Sequence, residues 1–322
     1  MSDKHAAPLA PRPGNVFSGV PLDRLALSRK DEPWLAAQLT ADSSLFVPYW
    51  RDKHLVGGDV DPRAAFLSRD AIDGLLDGNE EIALLGQRVD TADGALPAYF
   101  GIDLSHADEA AVLAAAPGAA LQDIREIVQI IPTEEASILS YARGLMYWHA
   151  RHRFCGVCGG ATVAEAAGHE RKCTAEACGT SHFPRTDAAV IVLVHDGDHC
   201  LLGRQSRWPT GMHSTLAGFL EPGESLEETV QREIFEESGV PVVDVRYHSS
   251  QPWPLPGSLM VGFMARALSR DLVIDEEELE YAIWMSRDDL LKREESDRFR
   301  LPGTFSIARR LIEDWMAGHI PD

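Results

Sequence analysis

Apolar positions change period along the chain, and the changes divide it into elements. In the first third, short runs with strand character fall at residues 44–49, 53–56, 82–85 and 98–102, the last two separated by a polar turn around 91–94. Between them, 33–40, 71–76 and 106–115 are helix candidates, so this region reads as α+β. A long helical period follows. Thr133 and two acidic residues start it, and Ile138, Tyr141, Ala142, Leu145, Met146, Trp148 and His149 give it one broad apolar side to about residue 152. His149 and His152 read as packing and helix-end residues. From residue 188 the pattern shortens again. The run 188–194 is apolar and β-branched, as a buried strand is, and 200–204, 214–219, 242–249, 259–267 and 283–286 repeat the strand pattern. Helices are predicted at 287–292 and at 306–318, where Ile307, Leu311, Ile312 and Trp315 share a face; Trp208 and Trp315 read as core.

One further helix stands among these strands. Ser225 followed by Glu228 is a capping box, Leu226, Val230 and Ile234 form an apolar stripe, and Gly239 before Pro241 marks the stop. Glu233, Glu236 and Glu237 lie at i, i+3 and i+4 and share another face. Carboxylates so placed repel one another unless a cation sits among them, and hard divalent ions such as Mg²⁺ suit oxygen ligands. A solvated acidic face gives the same spacing, so the pattern alone leaves both readings open. The whole arrangement predicts a mixed sheet with helices on both sides.

Cysteine spacing adds a second chemistry. Cys155-x-x-Cys158, fourteen residues, then Cys173-x4-Cys178 fits a tetrahedral four-thiolate zinc site of the ribbon type, with Gly156, Gly159 and Gly179 permitting tight turns. No ligand position is left open in such a set, which makes it structural. Cys200, in an apolar run, reads as a core thiol. The chain has 30 Lys plus Arg against 50 Asp plus Glu, a net charge of −20, which argues against broad nucleic-acid binding but leaves room for one local basic groove. Residues 1–14 are rich in Pro and Ala, lack a signal-peptide core and read as a disordered tail. The longest apolar run, 188–194, is too short to cross a membrane, so a soluble cytoplasmic protein is expected.

The segment from Gly218 to Val240 carries more than spacing. Gly218, five residues, Glu224, seven residues, Arg232-Glu233, Ile234, Glu236-Glu237, Gly239 and Val240 match the Nudix box at nine defined positions over 23 residues. Ten residues on, Ser250-Gln251-Pro252-Trp253-Pro254-Leu255-Pro256-Gly257-Ser258 resembles the SQPWPFPxS signature of the NADH pyrophosphatase (NudC-type) branch, with Leu255 in place of Phe. That branch carries a four-cysteine zinc module before its Nudix domain, as this chain does, though here the second cysteine pair is widened. The resemblance implies a Nudix α/β/α sandwich in 187–322 preceded by a zinc ribbon in 154–186, a linking helix in 131–153 and an α+β domain in 15–130. It implies Mg²⁺- or Mn²⁺-dependent cleavage of NADH or NAD⁺ to NMN(H) and AMP, removal of NAD caps from RNA 5′ ends, and a homodimer.

By the same resemblance, Glu233, Glu236, Glu237, Glu278 and the Ala308 carbonyl contact the metals, and Glu237 is the general base. Glu224 and Arg232 brace the loop, between Gly218 and Gly239. Phe219, Gln251, Trp253 and Ser258 bind the nucleotide, and Phe183 reaches the partner's site. A Nudix hydrolase preferring ADP-ribose or dinucleoside polyphosphates is the alternative within the class. A zinc-ribbon nucleic-acid-binding protein with an inactive Nudix domain is the alternative outside it.

Overall fold

The computed structural model describes residues 14–78, 80–88 and 96–320. The tail sketched for 1–14, apart from Gly14, and the turn at 91–94 lie outside the described residues.

The first layer is built from β1 (Leu22–Asp23), α1 (Glu32–Leu39), β2 (Leu45–Tyr49), β3 (Lys53–Gly57), β4 (Arg63–Ala64), α2 (Arg69–Asp73), β5 (Ile82–Arg88), β6 (Ala98–Asp103) and α3 (Glu109–Ala114). After these come β7 (Ala119–Asp123), α4 (Ile124–Ile127) and α5 (Thr133–Arg151). Two sheets form, in the orders β1-β5-β6-β2 and β4-β3-β7. Strand alternation sorts neighbouring residues onto opposite faces. Val47, Leu85 and Tyr99 face one core, Phe46, Leu84 and Phe100 the other. Ile138, Leu139, Ala142, Leu145 and Met146 of α5 complete the first of these cores. The helix read from sequence as a link is therefore packed into the first layer, because its apolar side is wide enough to cover a sheet. Thr133 is the first helical residue, one place beyond the Pro132 cap position.

The second layer is a small sheet, β10-β9-β8, from β8 (Thr162–Glu165), β9 (Glu170–Cys173) and β10 (Ser181–His182). Buried Arg171 fastens it to the first. Its guanidinium pairs with Glu81, donates to His149 Nδ1 at 2.8 Å, and donates to Thr162 Oγ1 and O at 2.8 and 3.0 Å. His149 Nε2 in turn meets the Gly168 carbonyl at 2.8 Å, so His149 is a packing residue, as its helix position predicts. Gly168, at φ +82°, approaches β5 so closely that a Cβ would lie 2.7 Å from Ala83 Cα.

The third layer comprises β11 (Asp187–His195), β12 (His199–Arg204), β13 (Leu216–Phe219), α6 (Leu226–Ser238), β14 (Val242–Trp253), β15 (Ser258–Ala267), β16 (Tyr281–Ser286), α7 (Arg287–Lys292) and α8 (Ile307–Met316). The sheet order is β14-β15-β11-β12-β16, with β13 also on β11; β11 and β15 run parallel and the other pairs antiparallel. The 188–194 run alternates between two cores. Val190, Val192 and Val194 meet Val230 and Ile234 of α6, while Ile191 and Leu193 meet Leu311, Ile312 and Trp315 of α8. The sheet thus lies between α6 and α8, the mixed α+β sandwich that the sequence predicts. Trp315 is fully buried there, whereas Trp208 is half-buried in a turn.

Candidate active site

Helix α6 starts and stops where the sequence predicts. Both hydrogen bonds of the Ser225–Glu228 capping box are made, and Gly239 caps the end at φ +72°. Its acidic face is split by an arginine. Arg232 meets Glu224 through two bonds, at 2.5 and 2.8 Å, and reaches Glu233 Oε1 and Glu236 Oε2 at 3.0 Å each. It also donates to the Phe219 carbonyl at 3.0 Å, tying the β13 end to the helix. Glu224 accepts as well from the Glu221 amide and the Thr229 hydroxyl, both at 3.0 Å. The Arg232 guanidinium, first, and these donors hold the Glu224 carboxyl down at about 2. Arg232 thus pairs with one carboxylate oxygen each of Glu233 and Glu236, Oε1 and Oε2 respectively.

Glu237 has no such relief. It is 6% exposed, and burial followed by the charges of Glu233, Glu278, Asp275 and Glu236 pushes its carboxyl up to about 8. Burial also raises Glu233, against the pull of Arg232. The acidic run folds back onto the helix end, where the Asp275 amide donates to the Glu237 carbonyl at 3.2 Å and Leu279 and Glu278 close a turn onto the Asp275 carbonyl. Of this run, Glu278 and Asp275 are the acids whose charges bear on Glu237, while Glu280 is taken by Arg204 at 2.9 Å. Asp275 is a member of the group that sequence reasoning did not single out; its place at the head of the acidic run is the signal for it. Carboxylate oxygens are the donors a hard divalent ion takes, but among the described residues these do not gather within 4.8 Å of one another as the ribbon sulfurs do. Gly218 leaves room for the Glu233 carboxylate: a Cβ there would fall 1.8 Å from its carboxyl carbon and push the side chain aside.

The nucleotide-binding residues divide. Phe219 is 59% exposed at the end of β13, and Ser258 opens β15 opposite Trp253 and Asp187. Residues 250–253 are not a loop but the last part of β14, paired with 258–261 of β15. Pro252 is tolerated because β14 is an edge strand. Gln251 therefore points into the protein. It is fully buried, accepts from the Ile307 amide at 2.8 Å, and donates to the Val16 and Phe305 carbonyls at 3.1 and 2.7 Å. Its amide is used up in holding the start of α8, so the expected bond to a nucleotide does not stand. Trp253 stacks on Phe305, centroids 5.9 Å apart and planes within 5°, with Phe17 at its edge. The stacking partner of Trp253 is thus part of the chain. Ala308, in the first turn of α8, has its side chain buried in the core with Leu311 and Ile312.

The four ribbon cysteines do converge. Their sulfurs lie within 4.8 Å of one another, with Cys155–Cys178 at 3.8 Å and Cys158–Cys173 at 3.4 Å. A tetrahedron of zinc–sulfur bonds near 2.3 Å has edges of roughly 3.8 Å, so the set fits zinc. The Val157 and Gly160 amides point at Cys155 and Cys158 sulfurs at 3.4 Å, as amides do at thiolates. His182 Nε2 also comes within 3.2 Å of the Cys155 sulfur, an addition the cysteine spacing could not reveal. Its neighbour Phe183 is 65% exposed.

Comparison with known proteins follows the same three layers. Family models match residues 43–148 as an NADH pyrophosphatase-like rudimentary NUDIX domain, 150–183 as an NADH pyrophosphatase zinc ribbon domain, and 184–302 as a NUDIX domain. The chain is 36% identical over 345 residues to the NAD-capped RNA hydrolase NUDT12 of Macaca fascicularis, covering 94% of this chain and 73% of that protein. The Homo sapiens protein of the same name is 35% identical over the same span. The NAD-capped RNA hydrolase NudC of Stutzerimonas stutzeri is 43% identical over 201 residues, 62% of this chain and 69% of that one. With its rudimentary domain, zinc ribbon and Nudix domain in that order, and relatives at these identities, the chain belongs to the NADH pyrophosphatase (NudC-type) branch of the Nudix hydrolase family.

Proposed function

We propose that the protein hydrolyses the pyrophosphate bond of NAD(H) to NMN(H) and AMP, and removes NAD caps from RNA 5′ ends. The observation that carries this reading is Glu237: a buried carboxyl held near 8 by its surroundings, at the end of a box helix whose other end is braced by Glu224 and Arg232. A group with that affinity for a proton is suited to general-base work near neutral pH. Glu233, Glu236, Glu237 and Glu278, with Asp275 beside them, are the residues to hold Mg²⁺ or Mn²⁺. Such ions neutralise the pyrophosphate and favour an attacking water. Phe219 offers its exposed ring to the nicotinamide, and Ser258 lies at the same end of the sheet. Glu224 and Arg232 keep the loop and the Glu233 carboxylate in place.

Zinc is structural in the ribbon. A homodimer is supported by Phe154, Val157 and Phe183, all at least 65% exposed on the ribbon. Thiols gathered for a metal fit a reducing, cytosolic compartment. Among the described residues no helix is long and apolar enough to cross a membrane.

The test is a product assay on NADH, ADP-ribose and NAD-capped RNA, each with Mg²⁺ and with Mn²⁺. The proposal expects NMNH and AMP from NADH and 5′-monophosphate RNA from the capped transcript. Turnover of ADP-ribose far above that of NADH would replace the substrate assignment.

A further inference from the structure

The end of the sheet that carries Phe219 also borders a crevice of about 780 Å³, walled by α5, the 17–29 segment, His169, residues 184–187 and the β14–β15 turn. Asp187 and Leu259 lie in its wall. Two residues further along β11, Ala189 pairs with Phe219, a step of roughly 7 Å along the strand.

The crevice is basic in an acidic protein. Arg24, Arg29 and Arg151 line it, and among the described residues none of the three pairs with a carboxylate, whereas arginines such as Arg63, Arg69, Arg171 and Arg309 do. The one acid in the wall, Asp187, is bound to Arg185 at 2.5 Å. Two of these guanidiniums sit over aromatic rings: Arg24 Cζ is 4.1 Å from the Tyr141 ring centre, with a hydrogen bond to the Tyr141 side chain, and Arg151 Cζ is 3.5 Å from that of Tyr147. Rings so placed hold the guanidiniums by cation–π attraction without neutralising them. Arg29 bonds the Arg24 carbonyl at 3.3 Å, and its Nε is enclosed without a hydrogen-bond partner. Burial lowers its affinity for the proton, and Arg24 adds to that. Burial likewise takes His169 down to about 4, with Arg29 and Arg24 adding their repulsion. Like charges collected without a counter-ion cost stability, and a bound anion removes that cost.

Guanidinium planes backed by aromatic faces recognise phosphates, and a row of them beside a nucleotide-cleaving site suits a polyphosphodiester. We propose that this crevice binds the ribonucleotides that follow the cap of a capped RNA, with Arg24, Arg29 and Arg151 on their phosphates. The inference rests on the NAD-cap activity proposed above. It also gives the local basic groove that a net charge of −20 leaves room for.

The experiment uses the full chain, a fluorescent short single-stranded RNA with a 5′-monophosphate, and the variant R24Q/R151Q with R24K/R151K as its control. Wild-type affinity for the RNA should fall with salt, and the glutamine variant should weaken it about tenfold at low salt and flatten the salt slope by about 1.4, roughly 0.7 per arginine on a single strand. Its kcat/KM on NAD-capped RNA should fall in step, its kcat/KM on NADH should stay at the wild-type value, and the lysine variant should keep RNA affinity. Salt-independent wild-type binding, or unchanged affinity in the glutamine variant, overturns the proposal. So does a parallel loss on NADH with the lysine variant active, which would make the crevice part of the dinucleotide pocket. RNA bound through these arginines with neither NADH nor capped RNA cleaved would defeat the activity assignment and leave the crevice assignment standing.

Discussion

Glu237 and Glu233 occupy the same helical face but different electrostatic worlds. Arg232 spans Glu224, Glu233 and Glu236, and stops short of Glu237, which is left buried among acids. Two outcomes follow for the pH dependence. In metal-free protein, the folded-state affinity of Glu237 for its proton exceeds that of an unfolded glutamate, near 4.5. The native state is therefore favoured below that value, and stability falls as pH rises from 4.5 to about 8. Thermal melts across this range should show the decline, and E237Q should flatten it. For catalysis the same group must lose its proton, so at limiting metal the rate should rise with pH up to about 8, and the limb should move to lower pH as Mg²⁺ is added. Gly218 is equally demanding. G218A would displace the Glu233 carboxylate, and a misplacement of that order costs about 10²-fold in kcat; single-turnover rates against an unchanged melting temperature would show it.

At the scale of elements, the box helix was legible in full, because its cap, stripe and stop are local signals. The hairpin after it was not. Three prolines in 250–258 suggest a stiff loop, yet four of those residues pair with β15, since an edge strand needs no donor on its outer side. That pairing turns Gln251 inward, where it serves three backbone groups far apart in sequence, and no local pattern encodes such contacts. Gln251→Leu should therefore act on folding. It strands buried polar groups at about 1–3 kcal/mol each, and a drop in denaturation midpoint larger than any change in KM for NADH is the expected result. The strands of β7 and the short α4 escaped the sequence pattern because β7 is half-exposed and lacks clean alternation.

The whole molecule joins a substrate layer to a zinc ribbon and a rudimentary domain through contacts that skip over sequence. Arg171 of β9, His149 of α5 and Glu81 just before β5 meet at one junction, and Asn15 donates to Ser249 and Ser250 across more than 230 residues. Motifs made the chemistry readable and left these junctions invisible. The ribbon's hold on the first layer predicts that chelation of zinc lowers the melting temperature of the whole chain, which calorimetry with and without a strong chelator measures. Acid acts elsewhere. His54, wholly enclosed in the first layer, is held at about 3 chiefly by burial, so stability should be lost as pH falls from about 6.5 toward 3, and H54L should delay that loss.

The measurement that bears most directly on the central claim is the steady-state release of NMNH and AMP from NADH by wild type and E237Q, in Mg²⁺ and at matched melting temperature. Wild type should cleave the pyrophosphate, and E237Q should lose about 10²–10⁴-fold in kcat with its fold intact. Cleavage by E237Q at the wild-type rate, or a folded wild type that releases neither product, would contradict the account.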